Sequence, residues 1–469
     1  MTTPVPRIAL ATSTSGSDPS IAGLALIAGL TARRWRIQHF RTRACPTATE
    51  AVAHATGMPG RHLDSWLMPP DICRSLLVAG LRQADLAVVE GRLDGPAWSA
   101  RPAWSRLRGP SRPWSRRSRC RWSRWSRWPA PATARSTCRS RPGAVAVVLD
   151  GLESPDDLDR FRRLIRLTSG LPVVGAVELL PEARREIESA PPGEFPRQAV
   201  DALAASFLQH ADLKAISALS LSNPYPDYVE RPGRGGSVGE PGFRVAYARD
   251  EAFGCYFPDT FEALSALGAE LVEFSPLNDE ALPERVDLVM IGCGLANVHA
   301  AALASNVSMI ASLRQHVCRG QRIYTEGGGA AYLGRSILVD GHRIPGAGIL
   351  PVEAEVADSP RPPEPVSRIL SRDSWLGPKG TEVRGYRSGR WNLKFSPTPF
   401  ECPSCYGRLS GEGDFYFRHH AVGSFVHLHL AALPEVVSAF AGPHHPSLRR
   451  PTTARRPERD QPREDEPEA

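Results

Sequence analysis

Arg322 to Ser336 reads RIYTEGGGAAYLGRS. A β-branched and aromatic run closes on Glu326, three glycines follow at Gly327 to Gly329, and a small apolar segment then suits a helix. A sharp strand-to-helix turn is where many enzymes hold a nucleophile in a strained backbone. This turn carries no side chain that could attack. Glycine accepts such a backbone without strain, so the geometry can persist where the nucleophile has gone.

The flanking sequence extends the same pattern in both directions. FRVAYARD reads as a strand, TFEALSALG as a helix, AELVEFSP and VDLVMIGCG as strands, and AALASNVSMIASLRQHVCRG as one helix leading into QRIYTEGGG. Antiparallel-looking strands follow, including GSFVHLHLAAL. Nearer the N-terminus, RIALAT, WRIQHF, ADLAVVEG, GAVAVVLDG and LPVVGAV read as buried strands separated by loops and helical stretches. Alternating strands and helices imply a parallel sheet covered on both faces. The fold class is α/β in two domains. Residues 1–222 form the first, the Pro- and Gly-rich stretch 223–242 is a linker, 243–441 form the second, and 442–469 are a tail poor in large apolar residues.

Residues 96–142 interrupt the first domain. They repeat Trp-Ser-Arg with no apolar period, which leaves no amphipathic helix and no pleated strand with one dry face. Three readings stay open: a segment that binds anionic polymers or surfaces by charge and stacking, low-complexity chain, or the product of a shifted reading frame. The segment also explains the overall charge. The 469-residue chain has a formal charge of +7, but Gly95 to Leu149 contains 13 Arg and no acidic residue. Without those 13, 44 basic residues face 50 acidic ones, a balance of −6. The charge therefore gives no ground for a nucleic-acid or membrane partner. Scattered cysteines suggest reduced thiols, and no apolar run is long enough to span a bilayer, so the expected compartment is the cytoplasm.

Four short motifs carry the candidate chemistry. STSGSDPSIAG follows the first strand and keeps Ser15, Gly16 and Ser20 of a phosphate cradle, but has Asp18 and Pro19 where a cradle needs glycine and lysine. As a bare motif it is weak, and an ordinary βα loop with Pro in the first helical turn is the favoured reading. Gly292 and Gly294 in GCGLANVHAAALASN can turn backbone N–H groups towards an oxyanion, or make only a tight turn. In SFVHLHL, His427 and His429 share one strand face. His427 suits a general base, and the alternative is a half-buried pair. A metal reading of these two lacks a convincing third ligand, and Cys402 and Cys405 form a lone C-x-x-C without the second pair of a zinc ribbon, so no metal is assigned.

In this order the pieces resemble the cobyrinic acid a,c-diamide synthases, the glutamine-dependent amidating enzymes of cobalamin biosynthesis. The resemblance is clearest from VAYARDEAFGCYFPDTFEALSALG through HAAALASNVSMIASLRQHVCRGQRIYTEGGGAAYLG to FVHLHLAALP. In the first domain it rests on ATGMPGRHLDSWLM, and it covers roughly residues 7–95 and 145–440. It implies a first domain similar to dethiobiotin synthetase and other P-loop ATPases, then a flavodoxin-like class I glutamine amidotransferase domain. It further implies ATP and Mg²⁺ as cofactors and glutamine and a corrinoid as substrates, and it leaves a homodimer open.

Carried over position by position, the resemblance also implies losses. The family's nucleophilic Cys falls on Gly327, while Glu326, Gly328 and Gly329 match, and the assisting His falls on His427. The oxyanion region falls on Gly292 to Asn297 and keeps Gly292 and Gly294. The P-loop Gly-Lys-Thr falls on Asp18, Pro19 and Ser20. Of an acidic Glu-Gly-Val-Met-Gly segment only Glu90 and Gly91 survive, and GYRSGRW from Gly385 lacks both histidines of its counterpart. Cys293 sits in a different turn from Gly327 and is expected to be no substitute. The expected activity is thus amidation by family and inactivity in this copy. The alternatives are a non-catalytic binding or regulatory partner, or residual ammonia-dependent synthesis.

Overall fold

The computed structural model describes residues 6–12, 21–43, 50–92, 122–127, 144–190, 194–222, 242–396 and 410–441. The first domain is one seven-stranded sheet of β1 (Arg7–Thr12), β2 (Ile37–Arg41), β3 (Arg61–His62), β4 (Leu86–Arg92), β5 (Trp122–Arg127), β6 (Ala144–Leu152) and β7 (Val173–Glu178). Their order is β3-β2-β4-β1-β5-β6-β7, and every pair is parallel. The helix Ile21–Ala32 is apolar on all sides because it is sandwiched: residues 21–30 are all buried, and Phe207 of the helix Arg197–His210 packs against Gly29.

The segment expected to give no pleated strand with one dry face contains a strand, β5, in register between β1 and β6. A ladder is made by backbone N–H and C=O groups, which every non-proline residue carries. Trp is moreover a good strand former. The missing apolar alternation argues against a strand with one wet face, not against one inserted into a ready-made parallel gap.

The second domain holds two larger sheets. Its strands begin β8 (Phe243–Ala248), β9 (Phe253–Cys255), β10 (Ala269–Phe274), β11 (Leu288–Ile291), β12 (Cys293–Gly294) and β13 (Arg322–Glu326). They continue β14 (Ser336–Val339), β15 (His342–Pro345), β16 (Val352–Ile369), β17 (Glu382–Phe395), β18 (Ser410–Glu412), β19 (Phe415–Arg418), β20 (Ala421–Ser424) and β21 (Val426–Leu428). The main sheet runs β10-β8-β11-β13-β20-β19-β18, parallel up to β20 and antiparallel beyond it. A second sheet, β15-β14-β16-β17-β21, packs beside it. The single helix expected after β12 is two, Ala300–Ser305 and Val307–Cys318, because Asn306 leaves helical geometry (φ −82°, ψ 72°) and its side chain caps Met309 N–H.

The domains meet through the stretch Arg61 to Leu76. Leu67, Met68 and Leu76 pack with Phe257, Tyr386 and Ala432. Buried Arg61 pairs with Asp259 and with Glu262, the latter at 3.0 Å, and Tyr386 donates to Asp64 at 2.6 Å. Among the described residues no helix is long and apolar enough to cross a membrane.

Candidate active site

β13 is the central strand of the main sheet, flanked by β11 and β20, and it stops at Glu326. Gly327 then takes φ 53° and ψ −112° and starts the short buried helix Gly328–Leu333. Its N–H donates to the Ser424 carbonyl of β20 at 2.8 Å, which pins the turn at the sheet's end. This is a nucleophile elbow in backbone terms. A Cβ added to Gly327 would lie 3.0 Å from His427 Cε1, 3.7 Å from His427 Nε2 and 3.1 Å from Cys293 Cβ.

His427 reaches the elbow from β21 and is oriented from behind. Its Nδ1 lies 3.4 Å from Glu326 Oε2. Glu326 Oε1 also accepts from Tyr324 O–H at 2.6 Å and from Leu428 N–H at 3.1 Å. With Nδ1–H directed at the carboxylate, Nε2 is the ring nitrogen turned to the elbow. Burial, and then the Glu326 charge with its hydrogen bond, push the Tyr324 phenol well above its usual range, so it remains a donor to Glu326. Tyr324 was not foreseen as part of the site, although strand periodicity offered a signal: two residues before Glu326 it shares that residue's face.

The glycine-containing loop closes the other side. Gly294 fits because its α-carbon approaches the Ala252 carbonyl so closely that a Cβ would stand 2.1 Å from it. Gly292 N–H donates to the Tyr256 hydroxyl at 2.9 Å, Leu295 N–H to the Ala252 carbonyl at 2.8 Å, and Arg390 reaches the Gly294 carbonyl at 3.3 Å. A Gly328 Cβ would lie 3.6 Å from Gly294 N and 3.7 Å from Ala296 N, so the elbow's first helical residue does face this loop.

One expectation about individual residues is corrected, and one residue lies nearer than its turn suggests. Cys293, expected to be no substitute for the nucleophile because it sits in a different turn, nonetheless borders the elbow, since β11 and β13 are adjacent and their ends converge. His427 and His429 do not share one extended strand face. β21 ends at Leu428, and His429 lies 3.4 Å from Asp259 with its ring against Phe257, at the domain junction.

In the first domain, Ser15, Gly16 and Ser20 lie outside the described residues, as do Asp18, Pro19, Cys402 and Cys405. Glu90 is described: it lies in the C-terminal half of β4 beside β1, is buried, and its Oε2 lies 3.1 Å from Nε2 of buried His39. Among the described residues no three His, Cys, Asp or Glu side chains gather into a metal site.

An elbow after a central parallel strand, a carboxylate-backed histidine and a facing glycine loop define a glutamine-amidotransferase-type domain. Residues 244–434 match the CobB/CobQ-like glutamine amidotransferase domain. The chain is 29% identical over 356 residues to the cobyrinate a,c-diamide synthase of Salmonella typhimurium, covering 71% of this chain and 74% of that protein. It is 28% identical to the hydrogenobyrinate a,c-diamide synthase of Streptomyces coelicolor, covering 93% and 97%. A crystal structure of a glutamine amidotransferase overlaps 42% of the chain and 98% of its own at 19% identity and a TM-score of 0.31. Residues 244–434 thus match that domain family, and over most of its length the chain is similar to cobyrinate and hydrogenobyrinate a,c-diamide synthases.

Proposed function

We propose that this chain derives from enzymes that amidate the a and c carboxylates of cobyrinic acid with ATP and glutamine, and that it has lost the glutamine-hydrolysing half of that reaction. The observation that carries this reading is Gly327: an elbow backbone with His427 aligned on it and no thiol between them. In this domain class a Cys would attack the glutamine amide carbon, backbone N–H groups would hold the oxyanion, and the His would move the proton. Loss of a base or an oxyanion donor costs roughly 10²–10⁴ in rate, but loss of the nucleophile removes the covalent route altogether.

The synthetase half supports the same reading. A Mg²⁺–nucleotide site needs oxygen donors and a cation for the outer phosphates. The sequence puts Asp18 and Pro19 at the cradle's Gly and Lys positions, and the carboxylate of Glu90 is engaged by His39. The donor set does not fit ATP and Mg²⁺ in the family manner, and no phosphorylation step is assigned to this chain. One observation favours a second reading, that of a binding or regulatory partner. The domain junction still holds buried, paired charges, which indicates that the two-domain frame persists apart from catalysis. Amidation of a corrinoid, assayed with glutamine and separately with ammonium, tests the proposal. No ATP-dependent product is expected from either nitrogen source: a product with glutamine overturns the loss of glutamine hydrolysis, and a product with ammonium alone overturns the loss of the synthetase half. Corrinoid binding without turnover would select the second reading.

A further inference from the structure

Strands β9 and β12 pair antiparallel, and Cys255 stands directly opposite Cys293 in their register. Opposed residues in an antiparallel ladder have Cα atoms about 4.5–5.5 Å apart. That lies inside the roughly 4.4–6.8 Å span across which disulfides form. The Cys293 side chain turns back over the rung, with its Sγ 3.7 Å from the Cys255 carbonyl oxygen. Cys73 and Cys318, the other described cysteines, sit on the helices Pro70–Gly80 and Val307–Cys318, outside the β9–β12 ladder.

The two thiols differ in access. Cys293 is 5% exposed, whereas Cys255 is half-buried and borders a cavity shared with Tyr256, Gly292, Tyr324, Glu326 and Leu428. Hydrogen bonding with Cys255, and after it burial, holds the Cys293 thiol well above the ordinary cysteine range.

We propose that Cys255 and Cys293 are a reactive thiol pair that closes to a disulfide on reaction with a low-molecular-weight disulfide of the glutathione type. The Cys255 thiolate attacks one sulfur of the small disulfide, forms a mixed disulfide and releases one thiolate. Cys293, once deprotonated, attacks the Cys255 sulfur and releases the second. Protein dithiol plus RSSR gives protein disulfide plus two RSH, so atoms and electrons balance. The bond would tie the Gly292–Gly294 loop covalently to β9, alongside the Tyr256 contact that already holds Gly292. It therefore acts on the loop that faces the elbow and is independent of whether the elbow is catalytic.

The full-length protein is reduced, desalted, exposed to glutathione disulfide at mildly alkaline pH, alkylated and digested. The expected product is one linked peptide joining residues 255 and 293, lighter than its two reduced parts by about 2 Da and reversed by dithiothreitol. Cys293→Ser should instead stop at a glutathione adduct on Cys255, and Cys255→Ser should leave Cys293 unmodified until unfolding. The wild-type peptide map decides the matter even if a serine variant misfolds. A stable Cys255–glutathione adduct beside an alkylatable Cys293 in the wild type, or linkage of either to a different cysteine, overturns the proposal.

Discussion

Gly327→Cys restores the side chain that the elbow lacks, and its consequences can be worked from the backbone. Gly327 sits at φ 53° and ψ −112°, a region L-residues rarely adopt. Holding a residue there costs on the order of 1–3 kcal/mol. The new Cβ would also meet His427 Cε1 at 3.0 Å and Cys293 Cβ at 3.1 Å, so both neighbours must yield by a few tenths of an ångström. At about 2–4 °C per kcal/mol for a unit of this size, the variant should unfold roughly 2–12 °C below the parent. Gly327→Ala separates strain from thiol chemistry and should lose a similar amount. With reductant present, glutamate release from glutamine should stay at background if, as the resemblance implies, the Gly292–Asn297 loop departs from the family pattern and withholds oxyanion stabilisation worth about 10²–10³ in rate. Measured glutamine hydrolysis by the single variant would refute the claim that this loop is disabling. Two variants as stable as the parent would refute the strained elbow.

Other perturbations probe the surroundings. Glu326→Ala removes the acceptor of Tyr324 O–H and Leu428 N–H, at about 1–3 kcal/mol for each buried donor left unmade, read as a lower urea midpoint; no change would mean the carboxylate does not organise His427. Arg61→Met leaves buried Asp259 without its guanidinium, and the loss of about 3–5 kcal/mol should appear as separated unfolding of the two domains in calorimetry. Burial holds His316 down to about 4, against an ordinary value near 6.5. The unfolded chain therefore binds the extra proton first, and the native state is penalised as pH falls from about 6.5 to about 4, by an amount approaching 3 kcal/mol. His316→Gln should flatten that acid limb of the stability curve, and an unchanged limb would place the titration elsewhere.

Much of this architecture can be read from the chain because buried parallel strands announce themselves. Runs such as LAVV and LVMI are apolar whichever face is considered, and both lie in the sheets where that property demands. The elbow is equally readable, since a triple glycine after a strand leaves few alternatives. What escaped depends on proximity between elements. Nothing in the order of residues says that Cys293 borders Gly327, because that follows from β11 and β13 ending together. Likewise the pairing of Asp64 with Tyr386 spans 322 residues, and the burial of Arg61 against Asp259 appears only when the domains dock. β5 escaped for the opposite reason: its side-chain pattern is poor, while its backbone has a place waiting between two partners.

On the proposed reading, in which the elbow has lost its nucleophile, the persistence of its backbone has a physical cause. Glu326 is fixed by two donors besides His427, the Gly327 N–H by the Ser424 carbonyl, and Gly294 by its approach to Ala252. None of these contacts uses a side chain at position 327. A Cys there would have strained the backbone, and a Gly relieves that strain, so exchanging one for the other removes the chemistry while stabilising the scaffold. Selection for folding alone would then retain His427 and Glu326, because they satisfy each other in a buried place. Their survival is a statement about burial and hydrogen bonding, and the presence of an aligned histidine in such a chain is not by itself a sign of turnover.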